Sequence, residues 1–302
     1  MTFLNHFIAK TLPFIPKSIV GQVSKRYIAG TTFDAAVAKV RELNSKGMMA
    51  TLDILGEDIH EREPALELVK QWTKVVEDIS KEGLNSNISV KLSQLGLKID
   101  VEFCHDNVRT IVRKAKELGN FVRIDMEDSA TTDATLGIYR RLLSEGFENI
   151  GIVIQAYLFR SDADIRELIK LGANFRLCKG IYIESPDIAY RDREDVRRNF
   201  VLLLRTIIEN GAYVGVATHD DYLMEKAYEL IQRNGLPKDR YEFQMLLGVK
   251  EALRDRIVRD GHRLRVYVPF GELWYAYSVR RLKENPEIAG YVLKAMLHRN
   301  GS

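Results

Sequence analysis

The sequence predicts an α/β fold built as a parallel (βα)8 barrel, and three observations carry the prediction. From residue 48 onward, eight short apolar runs alternate with longer amphipathic segments. Each strand-helix unit takes about 25–40 residues, so eight units fill the roughly 250 residues usual for such a barrel. Neither GxGxxG nor GxxxxGKS/T occurs, so the competing doubly wound sheet lacks its usual phosphate-binding turn.

In chain order, residues 1–46 read as a helical lead-in and 47–302 as the barrel domain. The lead-in contains TTFDAAVAKVRELNSKG, whose Thr-x-Asp start suits a helix N-terminus. The strand candidates are MMATLDIL (48–55), ISVKLSQL (88–95), FVRIDMED (121–128) and IGIVIQAY (150–157), then NFRLCKGIY (174–182), YVGVATHD (213–220), YEFQMLLG (241–248) and LRVYVPFG (264–271). Each is short and bounded by Gly, Asn, Asp or Pro, and most are rich in Val, Ile, Leu or aromatic residues. Between them, DNVRTIVRKAKELG and DADIRELIKLG are helical patterns closed by glycine. AYRDREDVRRNFVLLLRTIIENG predicts a long helix or a helix pair after the fifth strand. Its Arg191, Arg193, Arg197 and Arg198 alternate with Asp192, Glu194 and Asp195, the pattern of a solvated, salt-bridged face.

The 302 residues are 46% hydrophobic and 29% charged, with a net charge of +3 and both signs interspersed. That gives no clustered basic face for nucleic acid. Cys104 and Cys178 stand far apart, no Cys/His spacing suggests a metal, and reduced thiols suit a cytoplasmic protein. No stretch is long enough to span a membrane. Residues 1–20 combine Phe3, Leu4, Phe7, Ile8, Phe14 and Ile15 with Lys10 and Lys17. Such a segment suits a helix docked on the domain or a peripheral contact with the inner face of the cell membrane.

Barrel active sites sit at the C-terminal ends of the strands. Those ends carry Asp53, Lys91, Asp125, Glu127, Gln155, Arg176, Lys179, Thr218, His219, Gln244 and Tyr267. Lys91 reads as a mid-strand residue, and Arg123, Asp125 and Glu127 share one face of the third strand. So many polar strand ends imply a polar ligand, because isolated buried charges are costly. Asp125 and Glu127 are two residues apart on one strand, about 7 Å between Cα atoms, a weak glycosidase signal. After the last strand, the adjacent Arg280 and Arg281 suit a carboxylate, which a planar fork of donors binds bidentately. Three classes stay open: an enzyme with a cationic pocket, a Schiff-base aldolase using Lys91, and a non-catalytic amino-acid-binding protein.

The segments KLSQLG, RIDMED, IVIQAY, RLCKGIY, ATHD, FQMLLG, RVYVPFG and AYSVRRLKEN fall in order along the chain. Together they resemble the proline dehydrogenase family from about residue 30 to the end. The resemblance implies a distorted (βα)8 TIM barrel whose last helix lies over the strand ends. It implies FAD as cofactor, oxidation of L-proline to Δ1-pyrroline-5-carboxylate, and a membrane quinone as electron acceptor. By the same resemblance, Lys91, Arg280 and Arg281 anchor the substrate carboxylate, and Tyr182, Tyr267 and Tyr277 pack on the proline ring. Asp125 orients Lys91, Glu284 pairs with the arginines, and Glu57 closes over the pocket. Gln155, Arg176, Lys179, Gly180, Thr218, His219 and Gln244 match positions contacting the isoalloxazine, ribityl chain or pyrophosphate. The chain length suits a monofunctional protein, with pyrroline-5-carboxylate dehydrogenase as a separate downstream enzyme.

Overall fold

Eight parallel strands close on themselves in sequence order, β1 pairing with both β2 and β8. The computed structural model describes residues 20–21, 24–275 and 277–278. The strands are β1 (Met49–Ile54), β2 (Ser86–Val90), β3 (Val122–Ile124), β4 (Ile150–Gln155), β5 (Asn174–Cys178), β6 (Tyr213–Ala217), β7 (Tyr241–Leu246) and β8 (Leu264–Phe270). The helices are α1 (Phe33–Ser45), α2 (Arg62–Lys81), α3 (Val101–Glu117), α4 (Ser129–Ser144), α5 (Ser161–Ile169), α6 (Arg193–Glu209), α7 (Asp221–Arg233) and α8 (Glu251–Arg259).

Local chemistry sets the helix starts. Thr32, Asp100, Asp128 and Asp192 each accept a backbone N–H from the first turn of α1, α3, α4 and α6, satisfying donors that the helix itself cannot. α2 shows how a helix docks. Ala65, Leu68, Val69, Trp72, Val75, Val76 and Ile79 recur every three or four residues and are all buried, the stripe expected of a helix lying on a sheet. The segment after β5 forms the single helix α6.

All eight strands end short of the sequence reading, β6 at Ala217 so that Thr218 and His219 lie beyond it, and the differences are largest at β2, β3 and β5. β2 stops at Val90, and Lys91 is the extended residue that opens a 3-10 turn over Leu92–Leu95. β3 is only three residues long, so Asp125 and Glu127 lie beyond it on a loop rather than on one strand face. β5 ends at Cys178, leaving Lys179, Gly180 and Tyr182 on the loop. After β2 the apolar run continues past the last ladder bond because the 3-10 turn buries Leu92 and Leu95.

The barrel interior is unusual for this architecture. Such interiors are commonly filled by Val, Ile and Leu, and here many of the inward positions are polar. Thr51 donates to Asn87 at 2.5 Å. Arg123 reaches the carbonyl of Asn174 at 2.7 Å, and Arg265 pairs with Glu242 at 2.7 Å. Two glycines make room for these long side chains. A Cβ on Gly151 would overlap the Arg123 guanidinium, and one on Gly215 would meet the Gln244 amide. The apolar residues instead point outward, from Ile88, Ile124, Ile152, Val214 and Val266 to the helix layer. Alternation along each strand produces both surfaces.

Candidate active site

At the C-terminal end of the barrel, three side chains converge on Lys91. Its ammonium donates to Asp53 at 2.7 Å, to Tyr267 at 3.1 Å and to Asp125 at 3.3 Å. Tyr267 in turn donates to Asp125 at 3.0 Å. On the far side, Arg176 donates to Asp125 at 2.7 Å and to Ser89 at 3.1 Å, and its guanidinium lies 5.5 Å from the centre of the Tyr267 ring. Two cations and two carboxylates therefore balance in the floor of the site.

This balance splits the two acids. Burial pushes both upward, but Asp125 faces Lys91 and Arg176 together and is held below the usual carboxylate range. Asp53 is fully enclosed, has Lys91 as its single cation and feels the charge of Asp125, so its carboxyl is pushed up. Burial works against the Lys91 charge as well, yet Asp53, Tyr267 and Asp125 outweigh it and hold the ammonium well above its ordinary range. Burial and the two acids raise the Tyr267 phenol, which stays protonated. Glu127 is raised by burial although it accepts from the Ser93 backbone and hydroxyl at 2.9 and 2.5 Å.

These groups line a cavity of about 810 Å³, within the range of small-molecule and cofactor sites. Its wall brings together the sequence-predicted Lys91, Asp125, Gln155, Arg176, Lys179, Gly180, Tyr182, Thr218, His219, Gln244, Tyr267 and Tyr277. Arg280, Arg281 and Glu284 lie outside the described residues. A neighbouring cavity of about 620 Å³ shares Asp53, Lys91, Glu127, Tyr182 and Tyr277 with the first and adds Glu57. His219 Nε2 accepts the Leu246 backbone N–H at 2.9 Å, so the neutral ring carries its proton on Nδ1. Gln155 Oε1 is buried with no hydrogen-bond partner among the described residues, an acceptor that a ligand donor would satisfy. Also among the described residues, no cluster of three or more His, Cys, Asp or Glu could hold a metal.

Sequence reasoning missed part of this wall. Asp53 was visible as a strand end, but nothing local revealed that it is the nearest acid to Lys91. Arg193 and Arg197, read as a solvated face, turn to the cavity. Arg197 clamps Asp220 at 2.7 and 3.0 Å, while Arg193 and Lys179 each stand 3.5 Å from the same carboxylate. The four-residue spacing of Arg193 and Arg197 at the start of α6 was the available signal. Arg26 and Tyr27 come from the lead-in, which is tied to the barrel mouth by Ala29 N–H donating to the Pro269 carbonyl at 2.9 Å. Three cations on one carboxylate leave net positive charge at the cavity edge, which suits an anion such as a phosphate.

Burial pushes the Asp220 carboxyl up, but the Arg197 hydrogen bonds and the charges of Lys179, Arg197 and Arg193 outweigh it and hold it at about 2. A depressed carboxyl stabilises the fold above its unfolded pKa of about 3.9, and that contribution disappears as pH falls through the folded value. Asp220→Asn is therefore expected to melt at a lower temperature than the parent at pH 7. The difference should close as pH falls from about 4 towards 2. Thermal melts across that range check it, and a gap independent of pH would mean that packing rather than charge is lost.

The sequence model of the family described as Proline dehydrogenase matches residues 36–293. Proline dehydrogenase 1 of Bacillus subtilis is 38% identical over 274 residues, covering 91% of this chain and 90% of that protein. Proline dehydrogenase of Deinococcus radiodurans is 37% identical over 279 residues, again covering 91% and 90%. Among solved structures, proline utilization A (PutA) from Bdellovibrio bacteriovorus inactivated by N-propargylglycine superposes with a TM-score of 0.83 at 27% identity. That match covers 88% of this chain and 33% of the other, so the present chain spans a third of that larger protein. With a family match over most of its length and relatives this similar over nine-tenths of theirs, the chain belongs to the proline dehydrogenase family.

Proposed function

We propose that the chain oxidises L-proline to Δ1-pyrroline-5-carboxylate, with FAD held in the 810 Å³ cavity and a membrane quinone as the final electron acceptor. The observation that carries this reading is the charge-balanced group of Lys91, Asp53, Asp125, Tyr267 and Arg176 at the edge of a cofactor-sized cavity, in a chain of this family. The residues fit a flavin dinucleotide. The orphaned Gln155 Oε1 offers an acceptor to a ring N–H, and Lys179, Arg193 and Arg197 offer cations to a pyrophosphate. When bound, FAD supplies hydride acceptance, which is the cofactor's own chemistry.

The chain's residues do the rest. Lys91, held as an ammonium, gives one fixed cation to the substrate carboxylate, and Arg280 and Arg281 are assigned the bidentate contacts. Tyr182, Tyr267 and Tyr277 form the apolar wall against the ring, which fixes its orientation and contributes by proximity. Hydride can leave the ring carbon beside the nitrogen only when that nitrogen keeps its lone pair, so the amine must be neutral at reaction. The Lys91 charge is already balanced by Asp53 and Asp125. Disfavouring the substrate ammonium therefore falls to the two arginines beyond the described residues and to desolvation. Glu57 and Glu284 are assigned to closure and to pairing with those arginines.

A Schiff-base aldolase is disfavoured by the same geometry. Its nucleophile must be a neutral amine, and Lys91 donates to three acceptors that keep it charged. Among the described residues no helix is long and apolar enough to cross a membrane. Delivery of electrons to a bilayer quinone from a cytoplasmic protein therefore calls for peripheral contact, for which the apolar face within residues 1–20, almost all of them outside the described residues, is the assigned segment. The cyclic imine product opens in water to an aldehyde, which a separate pyrroline-5-carboxylate dehydrogenase would consume. The purified protein is expected to be yellow, to release FAD on denaturation, and to bleach with L-proline under anaerobic conditions. A colourless protein that traps a borohydride-reducible adduct on Lys91 would reverse the choice between the two readings.

A further inference from the structure

A chain of buried hydrogen bonds runs from the middle of the barrel to the cofactor cavity, and its first members touch no part of that cavity. Arg265 on β8 binds Glu242 on β7 through two contacts, 2.7 Å from Nε and 3.1 Å from Nη2. Glu242 accepts from Gln244 Nε2 at 2.6 Å. Gln244 Oε1 accepts from Arg176 Nε at 2.5 Å. Arg176 continues to Ser89 and Asp125 through Nη1. Its Nη2 makes no hydrogen bond among the described residues, although Arg176 is 7% exposed and lines the cavity. Glu242 is 2% exposed and Gln244 6% exposed, and Glu242 is absent from the described lining of the cavity.

The direction of this chain is forced by chemistry. A primary amide can present either its oxygen or its nitrogen to a neighbour. Arg176 can only donate and needs the oxygen. An ionised Glu242 can only accept and needs the nitrogen. Burial pushes the Glu242 carboxyl up, but Arg265 and the hydrogen bonds from Arg265, Gln244 and Tyr213 outweigh it and hold it at about 2. At neutral pH the acid is therefore always the acceptor. The alternative flip would set the amide N–H2 against a guanidinium and its oxygen against a carboxylate, two unsatisfied contacts in a low-dielectric interior. Gly215 leaves the space in which the amide sits, since a Cβ there would meet Gln244 Nε2 at 2.5 Å.

We propose that Glu242 is a positioning residue: it locks the Gln244 amide so that its oxygen fixes Arg176, and thereby aims the remaining Arg176 edge into the cofactor cavity. This deepens the reading of that cavity as a flavin site and rests on it. The positioned edge offers a donor and a positive charge to whatever part of the cofactor gains electron density, and such preorganised charge is effective because it needs no rearrangement at the moment of reaction.

The test uses the holoprotein and five variants. Glu242→Gln replaces an obligate acceptor with an amide that can donate or accept, so position 242 no longer dictates which end of Gln244 faces it and the amide is held by Arg176 alone. Because it also leaves Arg265 without its counter-charge, the pair Glu242→Gln with Arg265→Met is made in parallel and keeps the interior neutral. Expected are a bound-flavin midpoint potential more negative than the parent's and a kcat lower by roughly tenfold with KM for proline little changed. Glu242→Asp, which keeps an acceptor, should restore most of both. On a Gln244→Met background, Glu242→Gln should produce no further shift in potential, since the link it acts through is gone. A folded Glu242→Gln, Arg265→Met protein with parental potential and kcat would overturn the proposal. So would a full shift persisting in Gln244→Met, which would mean that Glu242 acts through its field alone.

One readout needs no cofactor. In apoprotein, the Gln244 side-chain amide is expected to give one sharp, slowly exchanging pair of N–H2 NMR signals that doubles or broadens in Glu242→Gln. An unchanged signal in the variant overturns the lock even if the chain proved to carry no flavin. Failure of the flavin reading would show separately, as a parent protein that neither binds FAD nor is reduced by proline.

Discussion

Lys91→Met is expected to lower kcat/KM for proline by about 100–1,000-fold, the scale seen when one preorganised electrostatic group is removed. FAD content should stay close to that of the parent, because the cation cluster at Lys179, Arg193 and Arg197 is untouched. Stability should fall by about 3–5 kcal/mol, since the substitution leaves buried acids without their shared cation. The pH dependence carries the sharper test. In the parent, Asp125 is depressed and stabilises the fold above its unfolded pKa. Without Lys91, Asp53 and Asp125 face each other with Arg176 as the remaining cation, and Asp53, already pushed up by burial, rises further. A raised carboxyl destabilises the fold as pH climbs from the unfolded pKa of about 3.9 through the folded value. The variant's deficit in melting temperature should therefore be largest at about pH 7–8 and shrink towards about pH 4–5. Melting curves over that range, with anaerobic reduction by proline, measure both parts. A deficit constant with pH would mean that the ammonium is not the partner of the two acids.

The strands were legible because their apolar runs recur at a barrel's spacing, and the helices because amphipathic segments between them close on glycine, with the Thr32 start of α1 also readable. Strand ends were harder to read. LSQL after Lys91 and DMED after Ile124 are as apolar or as patterned as the strands they follow, yet ladder pairing stops at Val90 and Ile124. That is a tertiary decision, set by where neighbouring strands end. The site's polar residues were visible as strand-end chemistry, whereas their partners were not. Nothing near Asp53 in sequence announces Lys91, 38 residues away and 2.7 Å distant, and nothing near Arg197 announces Asp220. The polar interior of the barrel was partly legible. Arg123, Arg176, Glu242, Gln244 and Arg265 occupy alternating positions in otherwise apolar strands, a pattern that costs stability unless each finds a partner. Gly151 and Gly215 sit inside the strand candidates IGIVIQAY and YVGVATHD, and their purpose emerges only once long side chains from neighbouring strands are seen to fill their space.

Gly180→Ala is expected to weaken FAD binding by roughly tenfold or more and to cost about 1–3 kcal/mol of stability, the range for a residue forced into a disfavoured backbone region. The glycine sits at φ +100 on the loop after β5, where a side chain is poorly tolerated. Space is also lacking, because a Cβ there would overlap the Tyr157 ring. Tyr157 cannot easily yield. It is 7% exposed, its N–H donates to the Lys179 carbonyl at 2.8 Å, and its carbonyl accepts from the Tyr190 N–H at 2.8 Å. Its hydroxyl donates to Glu184 at 3.5 Å, and Glu184 in turn accepts from the Ser129 N–H at the start of α4 at 2.8 Å. The loop must therefore move instead of the ring, carrying Lys179 and Tyr182 with it. Lys179 belongs to the cation cluster around Asp220, and Tyr182 lines both cavities, so one methyl group disturbs the cofactor and substrate sides together. Flavin release followed by fluorescence gives the first effect, and KM for proline gives the second. Parental affinity for FAD in a folded Gly180→Ala protein would mean that the loop after β5 is not part of the cofactor's cradle.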